Sequence, residues 1–127
     1  MLTGKSFIGN SRGAGSDTCG SGINPANGEK LSPDTIAATS QEVQYALNIA
    51  EEAFFVYRQK SGAEKATFLR AIATNIEARI EEIVARGPLE SGLPEGRMRG
   101  ETGRTTGQLR MFADLLDEGS WLDARID

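Results

Sequence analysis

The residues best suited to chemistry are arginines that lie close together in the sequence: Arg97, Arg99, Arg104 and Arg110. A guanidinium group is planar and matches the paired oxygens of a carboxylate or phosphate, so this cluster could form an anion-binding surface. The alternative is a solvated helix face, on which the arginines balance Glu95, Glu101 and Asp114. Composition alone favours the second interpretation.

Several common catalytic and binding sites are excluded by the residue inventory. The sequence has no histidine, so neither a Ser–His nor a Cys–His pair can be assembled. The single cysteine, Cys19, has no basic neighbour nearer than Arg12, and it cannot form an internal disulfide. Gly103-Arg104-Thr105 lacks the first glycine and the lysine of a phosphate-binding loop. We therefore assign no catalytic, cofactor-binding or metal-binding residue to the chain.

A dinucleotide-binding fingerprint is also absent, because Thr18 stands where the third glycine after Gly13-Ala14-Gly15 would be required. The surrounding residues 1–38 contain many glycines and only short apolar pieces, which predict short strands joined by turns. Within Asn24–Glu29, proline fixes φ and the Asn-Gly pair can adopt positive φ. No piece is long enough to nucleate a sheet by itself, so we expect these strands to join a sheet formed elsewhere.

From Thr39 onward the apolar residues follow a helical period, which predicts helices over residues 39–58, 61–86 and 94–118. Thr39 with Glu42 predicts a capping box at the start of the first helix, and Ser61 with Glu64 predicts one for the second. The second helix is expected to end at Arg86-Gly87-Pro88, where glycine and proline are stop signals.

The third predicted helix carries glycines at spacings of four, three and four, which places them on one face: Gly96, Gly100, Gly103 and Gly107. Such a face would allow another backbone or a ligand to approach closely. Because each glycine weakens a helix interior, a helix broken by a loop around residues 100–107 is the alternative.

The overall composition is that of a globular domain. The chain has 127 residues, of which 39% are apolar and 25% charged, and its formal net charge is −4. No apolar stretch approaches the ~20 residues needed to cross a bilayer, and the acidic balance argues against nucleic acid as a partner. The first residues lack the layout of a secretory signal, so we expect a cytoplasmic protein.

Taken together, several segments resemble the N-terminal part of the aldehyde dehydrogenase superfamily. They are Phe7-Ile8-Gly9, the Asn24–Glu29 turn, the helix from Val43 to Tyr57, and residues 89–94, which match the family's acid-x-Gly-x-Pro turn. The run from Gly100 to Arg110 is similar to the branch of the family that oxidises 2-oxoglutarate semialdehyde with NAD or NADP.

This resemblance implies an α/β fold in which the strands and three helices of this portion pack on a cofactor-binding domain. The parent enzyme would be several times longer and a homo-oligomer, with a small-molecule aldehyde as substrate. The partner of this segment would be the remainder of the polypeptide. Because the nucleophilic cysteine, the general-base glutamate and the NAD(P)-binding motifs would lie beyond residue 127, we expect the segment alone to be inactive.

The resemblance also implies a substrate site, since alignment of the third helix with relatives places Arg104 near the substrate entrance. Gly100, Thr105 and Gln108 would lie close by, and Arg104 would pair with the carboxylate of an oxo-acid semialdehyde. Arg86-Gly87-Pro88 departs from the family pattern, so we expect an altered joint before Leu89. The competing hypothesis is a self-standing helical interaction module without enzymatic activity, which would have to bury both apolar helix stripes within the chain.

Overall fold

Short antiparallel strands precede four helices in the computed structural model, which describes residues 2–122. The elements are β1 (Phe7–Ile8), β2 (Ser11–Arg12), β3 (Thr18–Ile23), β4 (Lys30–Ile36), α1 (Ser40–Tyr57), α2 (Gly62–Glu77), α3 (Ile80–Ser91), α4 (Glu95–Glu118) and a 3-10 turn (Ser120–Leu122). Their contacts divide the described chain into two units, residues 2–59 with 89–92 and residues 60–88 with 93–122.

The strands of the first unit form two separate two-stranded sheets. β1 pairs with β2, and β3 pairs with β4, both antiparallel, with register shifts between Thr18 and Gly22. The Asn24–Glu29 turn joins β3 to β4, and within it the Gly28 N–H donates to the Asn24 carbonyl at 2.8 Å while Gly28 has φ +76°. The strands therefore pair with each other, and the expectation that they join a sheet formed elsewhere stays a prediction.

The predicted capping box of α1 is confirmed, and it has an additional bond. Thr39 Oγ1 accepts from the Glu42 N–H at 3.1 Å, while Glu42 Oε2 accepts from the Thr39 N–H at 2.8 Å. Glu42 Oε1 also accepts from the Gly15 N–H at 3.0 Å. The bonds from Gly15 and then Thr39 lower the pKa of Glu42, because they favour its ionised form. One carboxylate thus joins the strand region to the start of α1.

The single helix predicted over residues 61–86 is wrong, because the structure contains two helices there. α2 begins at the predicted Ser61–Glu64 capping box and ends at Glu77, where the Arg79 N–H donates to the Ile76 carbonyl in a tight final turn. α3 then continues through Pro88 to Ser91, so the expected joint before Leu89 is wrong as well. The helix ends instead at Gly92, whose φ of +74° is typical of a glycine after the last helical residue.

The α4 helix is continuous from Glu95 to Glu118, without a loop around residues 100–107. It packs against α2 through small residues that are buried in both helices: Ala66, Ala73, Thr102, Thr106 and Ala113. The buried hydroxyl groups donate within their own helix, Thr102 to the Met98 carbonyl at 2.9 Å and Thr106 to the Gly103 carbonyl at 3.2 Å. The buried hydroxyl groups at the α2–α4 contact therefore have their hydrogen-bond acceptors within α4 itself.

Substituting a bulky residue at the α2–α4 contact tests how closely the two helices pack. Replacing Ala73, which is fully buried, with leucine is expected to lower the free energy of unfolding by about 1–3 kcal/mol, because extra methylenes overpack a dense contact. The same change at the exposed Ala71 of α2 is the matched control and should cost less than about 0.5 kcal/mol. Urea titration of both variants followed by circular dichroism measures the difference, and equal losses would contradict the packing described.

Candidate functional site

The glycine face of α4 lies about a third of a turn round the helix from its buried face. Gly96, Gly100, Gly103 and Gly107 are exposed, and a Cβ atom built at any of them would meet no described atom within 4 Å. The glycines therefore line an open helix surface in the part of the chain that the structure describes. Whether another backbone or a ligand occupies that surface stays a prediction.

Arg104 lies at the edge of this glycine face, next to Gly100 and Gly107. Its side chain is 66% exposed, and its Nε donates to Glu101 Oε2 at 3.0 Å. Gly100 and Gln108 lie one turn before and after it, so these three predicted site residues share one face of α4. Thr105 is also exposed, but it lies about 100° further round the helix and does not share that line.

Glu101, one of the acids expected to balance the arginines, pairs with two of them, and the sequence analysis did not name these pairs. Besides Arg104, it binds Arg97 Nη2 through Oε1 at 2.6 Å, and its own side chain is only 30% exposed. The hydrogen bond from Arg104, followed by the charge of Arg97, lowers the pKa of Glu101 and keeps it ionised. The spacing of four and three residues in Arg97–Glu101–Arg104 is the sequence signal that could have found this cluster.

The other two arginines of the original cluster bind carboxylates of other helices. Arg99 binds Glu81 of α3 at 2.8 Å and Glu95 at 2.9 Å, and Arg110 binds Glu77 of α2 at 2.6 Å. These bonds lower the pKa values of Glu81 and Glu77 and raise that of Arg99. The charge-balance interpretation therefore holds for all four arginines, although the cross-helix partners of Arg99 and Arg110 were not among the acids expected.

The acid Asp114 was expected to balance arginines of its own helix. It binds Arg70 of α2 instead, and Asp117 accepts from the same guanidinium group at 2.7 Å. Three arginines thus bridge helices at the edge of the second unit, whereas the ion pairs of Arg97 and Arg104 among residues 2–122 lie within α4. Of these two, Arg104 has glycines, Gly100 and Gly107, at two of its four neighbouring positions on the helix surface. Whether it meets an anion stays a prediction.

Cys19 lies in β3, exposed, and its Sγ donates to the Thr35 carbonyl at 3.4 Å. Within residues 2–122 no cluster of histidine, cysteine or acidic side chains has the composition of a metal site. None of the helices in that range has the length and apolar character required to cross a membrane.

Comparison with known proteins gives matches over nearly the whole chain. The model of the aldehyde dehydrogenase family matches residues 13–123. The chain is 39% identical over 128 residues to alpha-ketoglutaric semialdehyde dehydrogenase 2 of Azospirillum brasilense, which covers 100% of this chain and 24% of that protein. It is also 39% identical over 127 residues to alpha-ketoglutaric semialdehyde dehydrogenase of Acinetobacter baylyi, covering 98% of this chain and 24% of that one.

A more distant match is succinate-semialdehyde dehydrogenase [NADP(+)] 1 of Mycobacterium tuberculosis. It is 35% identical over 92 residues, which covers 72% of this chain and 20% of that protein. The chain therefore spans about a quarter or less of the length of these relatives.

The different partners of the arginines predict different effects on stability. Arg110→Met removes a bridge between α4 and α2 and should lower the melting temperature of the chain, less so in high salt. Arg104→Met removes only a bond within one helix turn and should lower it less. Thermal unfolding of both variants by circular dichroism measures this order, and a larger loss for Arg104→Met would contradict the assignment.

Proposed function

The chain belongs to the aldehyde dehydrogenase family, and from this premise we propose that it forms the N-terminal part of an NAD(P)-dependent semialdehyde dehydrogenase. The substrate class would be an oxo-acid semialdehyde such as 2-oxoglutarate semialdehyde, oxidised to the dicarboxylate. The observation that carries this proposal is the 39% identity, over the whole chain, to alpha-ketoglutaric semialdehyde dehydrogenase 2. The complete enzyme would be a homo-oligomer, as members of the family often are.

The cofactor, NAD or NADP, would accept a hydride from the substrate carbon, but the residues of this chain do not fit its binding. The Gly15 N–H, which could have faced a phosphate, donates to the carboxylate of Glu42. A negative charge at that position repels a pyrophosphate. Gly15 also packs against the Ile36 side chain, which leaves no open cradle there. We therefore propose that the cofactor is bound by other residues of the enzyme.

Large exposed apolar side chains support a packing role for the segment. α1 has no buried residue, and several of its side chains are more than half exposed: Val43, Tyr45, Leu47, Phe54, Phe55 and Val56. Apolar surface of this kind is normally covered by a partner. The proposed partner is the remainder of the dehydrogenase polypeptide. A self-standing module would have to bury these residues within the chain, and the described residues do not do so.

The proposed substrate contact is Arg104, which would pair with the carboxylate of the semialdehyde at the substrate entrance. Its exposure and its position between glycines support this role, because a carboxylate could reach the guanidinium group without meeting a side chain at Gly100. Gln108 and Thr105 would contribute neutral hydrogen-bonding groups near it.

A chimera tests the proposed function directly. In the Azospirillum brasilense relative, the aligned quarter is exchanged for this chain, and NAD(P)H formation from 2-oxoglutarate semialdehyde is measured. We expect the chimera to be active, and we expect the 127-residue chain alone and the relative without its aligned quarter to be inactive. A chimera that assembles like the parent enzyme but oxidises no aldehyde would contradict the proposal, as would activity of the chain alone.

Substitution of Arg104 in the same chimera tests the substrate site. Arg104→Met should raise KM for 2-oxoglutarate semialdehyde about tenfold or more, because the substrate carboxylate loses a charged hydrogen-bond donor. The KM for pentanal, which lacks the carboxylate, should change little. Equal effects on both aldehydes would show that Arg104 does not bind the carboxylate.

A further inference from the structure

Among residues 2–122, the guanidinium group of Arg104 is hydrogen-bonded through Nε but not through its two terminal nitrogens. Glu101 accepts from Nε at 3.0 Å, and neither Nη1 nor Nη2 has an acceptor among residues 2–122. A carboxylate is bound best by two parallel N–H groups. The two Nη atoms supply such a pair only while the side chain keeps one orientation.

The neighbours of Arg104 on the helix surface make Glu101 the main determinant of that orientation. Residues three and four positions away are the surface neighbours in a helix. Two of these four, Gly100 and Gly107, have no side chain, and Gly103 beside them has none either. Gln108 is neutral. Glu101 is therefore the one charged side chain at these positions that can fix the arginine.

Arg97 sets the charge of the cluster. With Arg97 and Arg104 both bound to Glu101, the three side chains carry a net charge of about +1. Without Arg97, the charge of Glu101 would cancel that of Arg104, and the attraction for an anion would fall. The 2.6 Å bond between Arg97 and Glu101 thus preserves a net positive charge beside the glycines.

We propose that Glu101 is a positioning residue, which fixes Arg104 through Nε so that Nη1 and Nη2 bind the carboxylate of the semialdehyde. Arg97 compensates the charge of Glu101 and keeps the cluster attractive to an anion. This inference rests on the proposed function, and it adds to it the pair of residues that would give Arg104 its selectivity for a carboxylate-bearing aldehyde.

The test uses the chimera and the semialdehyde and pentanal assays. Glu101→Ala should raise KM for 2-oxoglutarate semialdehyde about three- to tenfold with little change in kcat, because Arg104 loses the bond that orients it. Glu101→Gln keeps an acceptor and should lie closer to the unmodified chimera. Glu95→Ala, which removes a partner of Arg99 on the same helix, is the matched control and should leave KM unchanged.

A double substitution separates positioning from a general effect on folding. If Glu101 acts through Arg104, then Glu101→Ala combined with Arg104→Met should be no worse than Arg104→Met alone. Additive losses would overturn the proposal. A fall in KM for Glu101→Ala would also overturn it, since Glu101 would then compete with the substrate for Arg104.

The outcomes also distinguish this inference from the proposed function on which it rests. If Arg104→Met affects both aldehydes equally, the substrate site itself is wrong. If Arg104→Met is selective for the semialdehyde but Glu101→Ala has no effect, only the positioning role of Glu101 fails.

Arg97→Met should raise the semialdehyde KM most at low ionic strength, and an effect independent of salt would contradict its role as a charge compensator.

Discussion

The close contact between α2 and α4 is the constraint on which the second unit depends. No large side chain in residues 2–122 is fully buried, so this contact is made by small residues such as Ala66, Ala73 and Ala113. Small side chains bury little apolar area each, but they let two helices approach closely and pack densely. The helices are held in addition at their edges, where Arg70 and Arg110 of opposite helices bind carboxylates across the contact.

That arrangement divides the arginines of α4 by the direction they face. Arg99 and Arg110 lie toward neighbouring helices and are occupied by Glu81 and Glu77. Arg104 faces away from those helices, and its ion pair within the described residues 2–122 is with Glu101 of its own helix. A surface ion pair contributes little to stability, so an exposed arginine among glycines has no evident structural purpose. The proposed pairing of Arg104 with a substrate carboxylate would account for its position.

The features that the sequence predicted well are local. Both predicted capping boxes join a side chain to a backbone group three residues away. The partners of Arg99 and Arg110 lie 18 and 33 residues away in the chain, and no pattern within a helix reveals them. The helix end at residue 86 was predicted wrongly because Gly87 also takes part in a contact with a residue distant in the sequence. Gly87 makes room for the Met98 side chain and does not end the helix, which stops only at Gly92.

The same packing that stabilises α4 also determines which residues it presents on its open side. Thr102 and Thr106 are buried on the face opposite Arg104, and this fixes the rotation of the helix about its axis. Because a helix turns about 100° per residue, a slip of one position would bring Thr105 to the place of Arg104 and move the glycines off the open face. If the proposed role of Arg104 is right, substrate recognition on α4 would depend on the three alanines and two threonines that pack at the contact with α2.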